Sequence, residues 1–271
     1  MYVIGLPVAL LFLLPFGRNP GALAGTKGYV HGEVKRFDER AQVFARNRSL
    51  RPGSREYEIF YRDYPGYEEF DKKRRERGGP LGSLGSIDGS RGRVNVDATL
   101  ACVSIPQALS SPDKTNPQPV FNPMYQSKTA QEQTNEGEYA LSPEEATLRV
   151  KGYALSLGAD LVGVTEIDPR WVYSLKGEIF HENWEDWGKE IVADKYAVVF
   201  ANEMNFDLVG AAPHTPTVIE SMRNYAKGAF IATQLARFIA NMGYSASANH
   251  LRHYEALMVP LAVDAGLGEL G

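Results

Sequence analysis

The 271-residue sequence holds a single cysteine, Cys102. One sulfur excludes a disulfide framework, and it excludes a metal cluster held by the chain's own thiolates, because a cubane needs four. An excess of positive charge is also missing. Against 33 Asp and Glu there are 29 Lys and Arg, a formal charge of -4, so nothing draws the chain to phosphate and nucleic acid is not an expected partner. Apolar runs long enough for repeated membrane crossing are absent. There is no G-x-S-x-G elbow, Walker loop or HExxH pair, and no internal repeat stands out. What remains, 44% hydrophobic and 23% charged residues, is the composition of a globular protein.

Residues 1–25 form an apolar N-terminal segment. Residues 1–16 read MYVIGLPVALLFLLPF without a charge, slightly short of the roughly 20 residues of a spanning helix and interrupted by Pro7 and Pro15. A secretory signal would carry a basic start, which Met1-Tyr2 lacks, although Ala22-Leu23-Ala24 resembles a cleavage site. The expectation is a membrane anchor or signal and a membrane-associated protein, with an exported or a cytoplasmic one as alternatives.

Residues 26–137 read as loop-rich. Tyr57, Phe60, Tyr61 and Tyr64 fall on one face of a short helix before Pro65. The run DKKRRER at 71–77 mixes signs and predicts a solvated helix end. Residues 78–93 are a Gly/Ser-rich connection, and residues 104–137, rich in Pro, Asn, Gln and Ser, predict extended surface chain. Cys102 sits in an apolar context that predicts a buried, inert thiol.

Residues 138–271 predict a layered α/β domain. Ser142-Pro143-Glu144-Glu145 is a capping box opening a helix that Gly158 ends. Residues 160–165 and 195–201 have the length and apolar content of buried strands. A long helix follows from Thr217 to a stop at Gly243, and residues 244–248 read as a returning strand.

Few residues are candidates for chemistry. Tyr225 lies on the long helix near Arg223, Asn224 and Lys227 in sequence, where fixed cations would stabilise its anion; the alternative is a core aromatic. Asn249 follows a strand end and either faces a pocket or caps a helix over His250. His250 and His253 are spaced to share a helical face and could bind a metal if a carboxylate such as Glu255 joined them, although two histidines near a helix start are more often surface or capping residues; no metal-binding residue is assigned. Trp171, Trp184 and Trp187 read as interior packing. Gly266, Leu267, Gly268, Glu269 and Gly271 fall in a stretch that satisfies G-x-G-x-x-G literally. A dinucleotide site would require a strand before it and a helix and acid after it, so close backbone approach to a flat cofactor is the broader reading.

Several stretches resemble the corrinoid-dependent reductive dehalogenases: residues 148–165 (LRVKGYALSLGADLVGVT), 222–228 (MRNYAKG), 236–246 (ARFIANMGYSA) and above all 259–271 (VPLAVDAGLGELG). The resemblance is good over 139–271, and the charged stretch 36–77 looks like the N-terminal part of those enzymes. It implies an α/β (α+β), nitroreductase-like corrinoid-binding domain holding a base-off cobalamin, reduced by two [4Fe-4S] clusters. Tyr225 would be the proton donor, Asn249 would line the substrate pocket, and Gly266, Leu267, Gly268, Glu269 and Gly271 would lie near the corrin. The D-x-H-x-x-G motif that supplies a lower histidine ligand elsewhere is absent, in keeping with base-off binding. The implied partners are a halogenated organic substrate and a ferredoxin- or reductase-like electron donor. Because the cluster cysteines are missing, the chain is expected to be the front part of a longer protein and inactive alone. Epoxyqueuosine reductases share a related Ala-Gly-Leu-Gly stretch and stand as the alternative, together with a non-catalytic corrinoid-binding protein.

Overall fold

The computed structural model describes residues 22–76, 87–88, 92–93, 141–177, 186–212, 214–251 and 253–270. The expectations for residues 1–16, Cys102, 104–137, Trp184, Gly271 and most of 78–93 lie outside the described residues. Helices α1 (Val43–Ser49), α2 (Arg55–Asp63) and α3 (Glu68–Glu76) are followed by a two-residue ladder, β1 (Ile87–Asp88) with β2 (Gly92–Arg93). The second half contains α4 (Pro143–Ser156), β3 (Leu161–Glu166), β4 (Tyr196–Ala201), α5 (Phe206–Gly210), α6 (Thr215–Asn241) and α7 (Met258–Asp264).

Helix α4 begins where the capping box predicts. Ser142 Oγ accepts from Glu145 N at 3.2 Å while Glu145 returns the bond to Ser142 N at 3.1 Å, which satisfies two of the free amides of the first turn. Gly158 and Gly243 follow α4 and α6 with positive φ, as helix-stopping residues.

Strands β3 and β4 are antiparallel, with Val162 opposite Phe200, Gly163 opposite Val199 and Val164 opposite Val198. Successive residues point to opposite faces, so the pair is buried on both sides. Val162, Val164, Val198 and Phe200 pack beneath α4 and α6, against Val150, Ala154, Ile231 and Leu235. Val199 and Ala197 pack on the other side against Leu261, Trp171 and Leu267. Each fully buried aliphatic side chain here contributes about 1.5–3 kcal/mol. This is a mixed helix-and-sheet core in three layers. Residues 244–249 form no strand; Ala246 and Ala248 instead lie against Phe200, Ala232 and Ala236, burial through small side chains that leaves no ladder to join.

Residues 258–264, mostly apolar and followed by glycines, form α7, with Leu257 as its extended N-cap. Pro260 is tolerated because it falls in the first turn of α7. The N-terminal segment straps this helix down. Thr26 N and Oγ1 donate to the two carboxylate oxygens of Asp264 at 2.7 and 3.0 Å, and Thr26 Oγ1 accepts from Trp171 Nε1 at 3.2 Å.

The described part of the loop-rich region is helical between residues 43 and 76. Gln42 caps α1 and Ser54 caps α2 through their side chains. Phe60 and Tyr61 are buried with Leu50, on the helix face the aromatic spacing predicts. The run beginning at Asp71 is not simply a solvated end, because Asp71 is 3% exposed. Arg46 Nε donates to its Oδ2 at 2.7 Å and Tyr61 Oη to the same oxygen at 2.9 Å, so the burial of this charge is matched by paired donors. Burial above all pushes the Tyr61 phenol up to about 12. The region docks on the rest of the chain through Arg36, which donates to the carbonyls of Val172 and Tyr173 at 3.1 and 2.6 Å, and through Glu39, which accepts from Gly177 N at 2.7 Å.

Candidate functional site

Tyr225 lies in the N-terminal half of α6 and is 48% exposed, so it is not the core aromatic that the apolar stripe also allows. The cations near it in sequence are committed elsewhere. Arg223 pairs with Glu220 at 2.9 Å, and Lys227 with Asp160 at 3.1 Å. Residues two apart on a helix face different directions, which is why sequence proximity did not become a cationic cage around the phenol.

Sequence reasoning missed the two carboxylates that organise this end of the core. Glu220 is fully buried and accepts from Asn205 N and Asn224 Nδ2, both at 2.8 Å. The Asn205 amide, joined by Asn224 and Arg223 and opposed by burial, holds the Glu220 carboxyl below its usual range. Asp160 accepts from Glu203 N at 2.8 Å, and this amide, then Lys227, lowers its pKa as well. Together the carboxylates clamp the loop after β4 onto α6. The available signal was spacing: Glu220, Arg223 and Asn224 stand at i, i+3 and i+4.

Asn249 caps no helix. Its Oδ1 accepts from Glu255 N at 2.8 Å and closes a tight turn in which His250 and His253 exchange backbone hydrogen bonds. The two imidazoles therefore do not share a helical face; their centroids are 6.4 Å apart. No metal-holding group of three occurs among the described residues. The turn stays next to α6, because Ala248 packs on Ala232 and Ala236.

The glycine-rich stretch follows a helix, which removes the dinucleotide reading. Gly266 takes φ 74° just after α7, and a Cβ at either Gly266 or Gly268 would meet nothing within 4 Å. Leu267 is anchored among Val199, Trp171 and Leu261, while Gly268 and Glu269 are exposed. Leu257 and Ile167, the latter beyond the end of β3, pack on the same cluster of Val172, Tyr173 and Ile191, whereas Ala265 lies at Gly163. The chain thus leaves α7 heading toward the end of the ladder where Lys227 meets Asp160. Helix α6 and the glycine loop flank that end from opposite faces of the sheet.

The arrangement defines a mixed helix-and-sheet domain with an exposed phenol and an open glycine loop. No family model matches the chain. Over 163 residues it is 31% identical to a tetrachloroethene reductive dehalogenase of Dehalobacter restrictus and 30% identical to one of Desulfitobacterium hafniense. Each match takes in 48% of this chain and 29% of the relative's length. Over that part, the chain is related to reductive dehalogenases. No helix among the described residues is long and apolar enough to cross a membrane.

Proposed function

We propose that this chain is part of a corrinoid-dependent reductive dehalogenase, an oxidoreductase acting on an organohalide with electrons from a ferredoxin- or reductase-like donor. The observation that carries this reading is the match to two tetrachloroethene reductive dehalogenases. A nitroreductase-like arrangement of the core is part of the same proposal.

The residues present are compatible with a flat macrocycle. The backbone at Gly266 and Gly268 is open on the side where a Cβ would stand, and Leu267 holds the loop between them by packing, partly buried, against Trp171, Val199 and Leu261. Gly266, Leu267, Gly268, Glu269 and Gly271 would hold the corrin edge through main-chain contact. When bound, a reduced base-off cobalamin supplies the electrons for carbon–halogen cleavage. Tyr225 Oη would give a proton to the carbon that loses halogen, a role open to an accessible phenol on a rigid helix. Asn249 spends its Oδ1 on Glu255 N, which leaves its amide nitrogen as the donor to substrate. Iron–sulfur clusters do not fit these residues, because one cysteine cannot replace four thiolates; no step here is assigned to them.

The test is anaerobic purification of the full gene product, followed by cobalt and iron analysis and assay with tetrachloroethene. Cobalt, iron and chloride release are expected. A preparation lacking both metals, or turnover unchanged by Tyr225→Phe, would reject the cofactor assignment and the tyrosine's role respectively.

A further inference from the structure

Segment 172–177 is bonded both to the N-terminal region and to the turn that holds Asn249. Toward the N-terminal region, Ser174 N donates to Phe37 O at 2.9 Å and Leu175 O accepts from Glu39 N at 3.3 Å. Toward the turn, Tyr173 N donates to Glu255 O at 2.9 Å. Rings follow the same order, with Phe37 6.2 Å from Tyr173 and Tyr173 6.1 Å from Tyr254 between centroids. The side chains of Glu39 and Lys176 complete the path. Glu39 is fully buried; its Oε2 accepts from Gly177 N at 2.7 Å and lies 3.9 Å from Lys176 Nζ. Lys176 Nζ also donates to Tyr254 O at 3.0 Å. The next residue, Glu255, gives its N–H to Asn249 Oδ1 at 2.8 Å. A Cβ at Gly177 would strike the Arg40 backbone, so the approach that sets Lys176 beside Glu39 needs glycine there.

We infer that Glu39 and Lys176 are positioning residues, through which the docked N-terminal region locks the turn that orients Asn249. A buried carboxylate needs donors and a cation to offset its lost hydration. Glu39 meets that need by drawing Lys176 inward, to 13% exposure of its side chain. A lysine carries three N–H donors on a flexible stem. Held near the carboxylate, it presents a donor to Tyr254 O. Without the carboxylate the stem is free to carry the ammonium to water, and Tyr254 O loses that bond. The loss falls on the residue before Glu255, whose N–H is what Asn249 holds. That Asn249 meets substrate rests on the function proposed above; the latch between the N-terminal region and the turn does not.

Hydrogen–deuterium exchange of the full gene product, read by mass spectrometry, follows the turn through peptides covering 249–257 and the core through peptides covering β3 and β4. Lys176→Met is expected to speed exchange in the turn by about tenfold or more, the order expected when one hydrogen bond from a charged donor is lost, and to leave the strand peptides unchanged. Glu39→Gln keeps an acceptor for Gly177 N but no charge for Lys176, and should act at the same place. In the double variant the two effects should not add, because either change breaks the same contact. If Glu39→Gln does not fold, Lys176→Met alone still decides. A fall in kcat/KM for tetrachloroethene that accompanies the faster exchange supports the part Asn249 plays with substrate; faster exchange with unchanged turnover upholds the latch and rejects that part. Exchange in the turn that stays at the wild-type rate, rises equally in the strands, or adds in the double variant overturns the inference.

Discussion

The carbonyl oxygen of Ala265 rests on Gly163 so closely that a Cβ at residue 163 would stand 2.2 Å from it. Strand β3 and the end of α7 meet here, and the glycine loop begins at the next residue. Gly163→Ala must therefore push α7 away from the sheet, against a backbone atom that has no rotamer to change. We expect a loss of about 1–3 kcal/mol or more in stability from overpacking, measured by urea denaturation. Gly268→Ala, where a Cβ meets nothing within 4 Å, is expected to leave the midpoint nearly unchanged. Equal effects from the two substitutions would contradict the packing described.

Asp71 supports the N-terminal helices from within. Replacing it with alanine strands the buried Arg46 guanidinium and removes the acceptor of the Tyr61 Oη hydrogen, leaving that oxygen only the bond it accepts from Arg75. Breaking one side of a buried pair costs about 3–5 kcal/mol. The double change Arg46→Met with Asp71→Leu should recover much of that loss, because no charge is then left unpaired. Thermal melting of the two variants checks both statements.

Glu255 gives the fold a pH dependence of its own. Burial pushes its carboxyl up, an effect that Lys176 opposes and Asp194 and Asp186 reinforce; His253 Nε2 lies 3.7 Å from its Oε1. The folded chain thus holds this proton more tightly than the unfolded one. The contribution is present below the ordinary glutamate value and is lost as pH rises through the raised folded value. Glu255→Gln should melt at the wild-type temperature near pH 4 and above it near pH 7.5. A difference that does not change with pH would remove the Glu255 assignment.

Tyr225 separates chemistry from stability. Its ring is half exposed, so Tyr225→Phe should leave the melting temperature and cobalt content of the full gene product in place. If the phenol is the proton donor, turnover should fall by about 10²–10⁴-fold, the usual range for loss of a general acid. A fall in stability that matched the fall in rate would point instead to a packing role.

Local signals in the sequence were enough wherever the interaction that fixes an element lies within a few residues of it. The capping box at Ser142, the glycines after α4 and α6, the two apolar strands and the aromatic face of α2 are all of this kind. Two other local readings failed at the same scale. Residues 244–248 read as a returning strand because a short run of small and apolar residues does not by itself specify a ladder partner, and the two histidines were placed on a helix that Asn249 and the turn replace.

Tertiary packing alone decided the rest. Lys227 meets Asp160 across 67 positions and Thr26 meets Asp264 across 238, and no periodicity carries such pairings. Arg223 and Lys227 are adjacent to Tyr225 in the chain yet are drawn away from it by Glu220 and Asp160. The phenol is consequently accessible and uncaged, a property settled by which carboxylates the folded core brings alongside α6. In the same way, the glycines leave the loop free of side chains, but its position at one end of the ladder comes from Leu267 and Ala265 finding their places on the face of the sheet opposite α6.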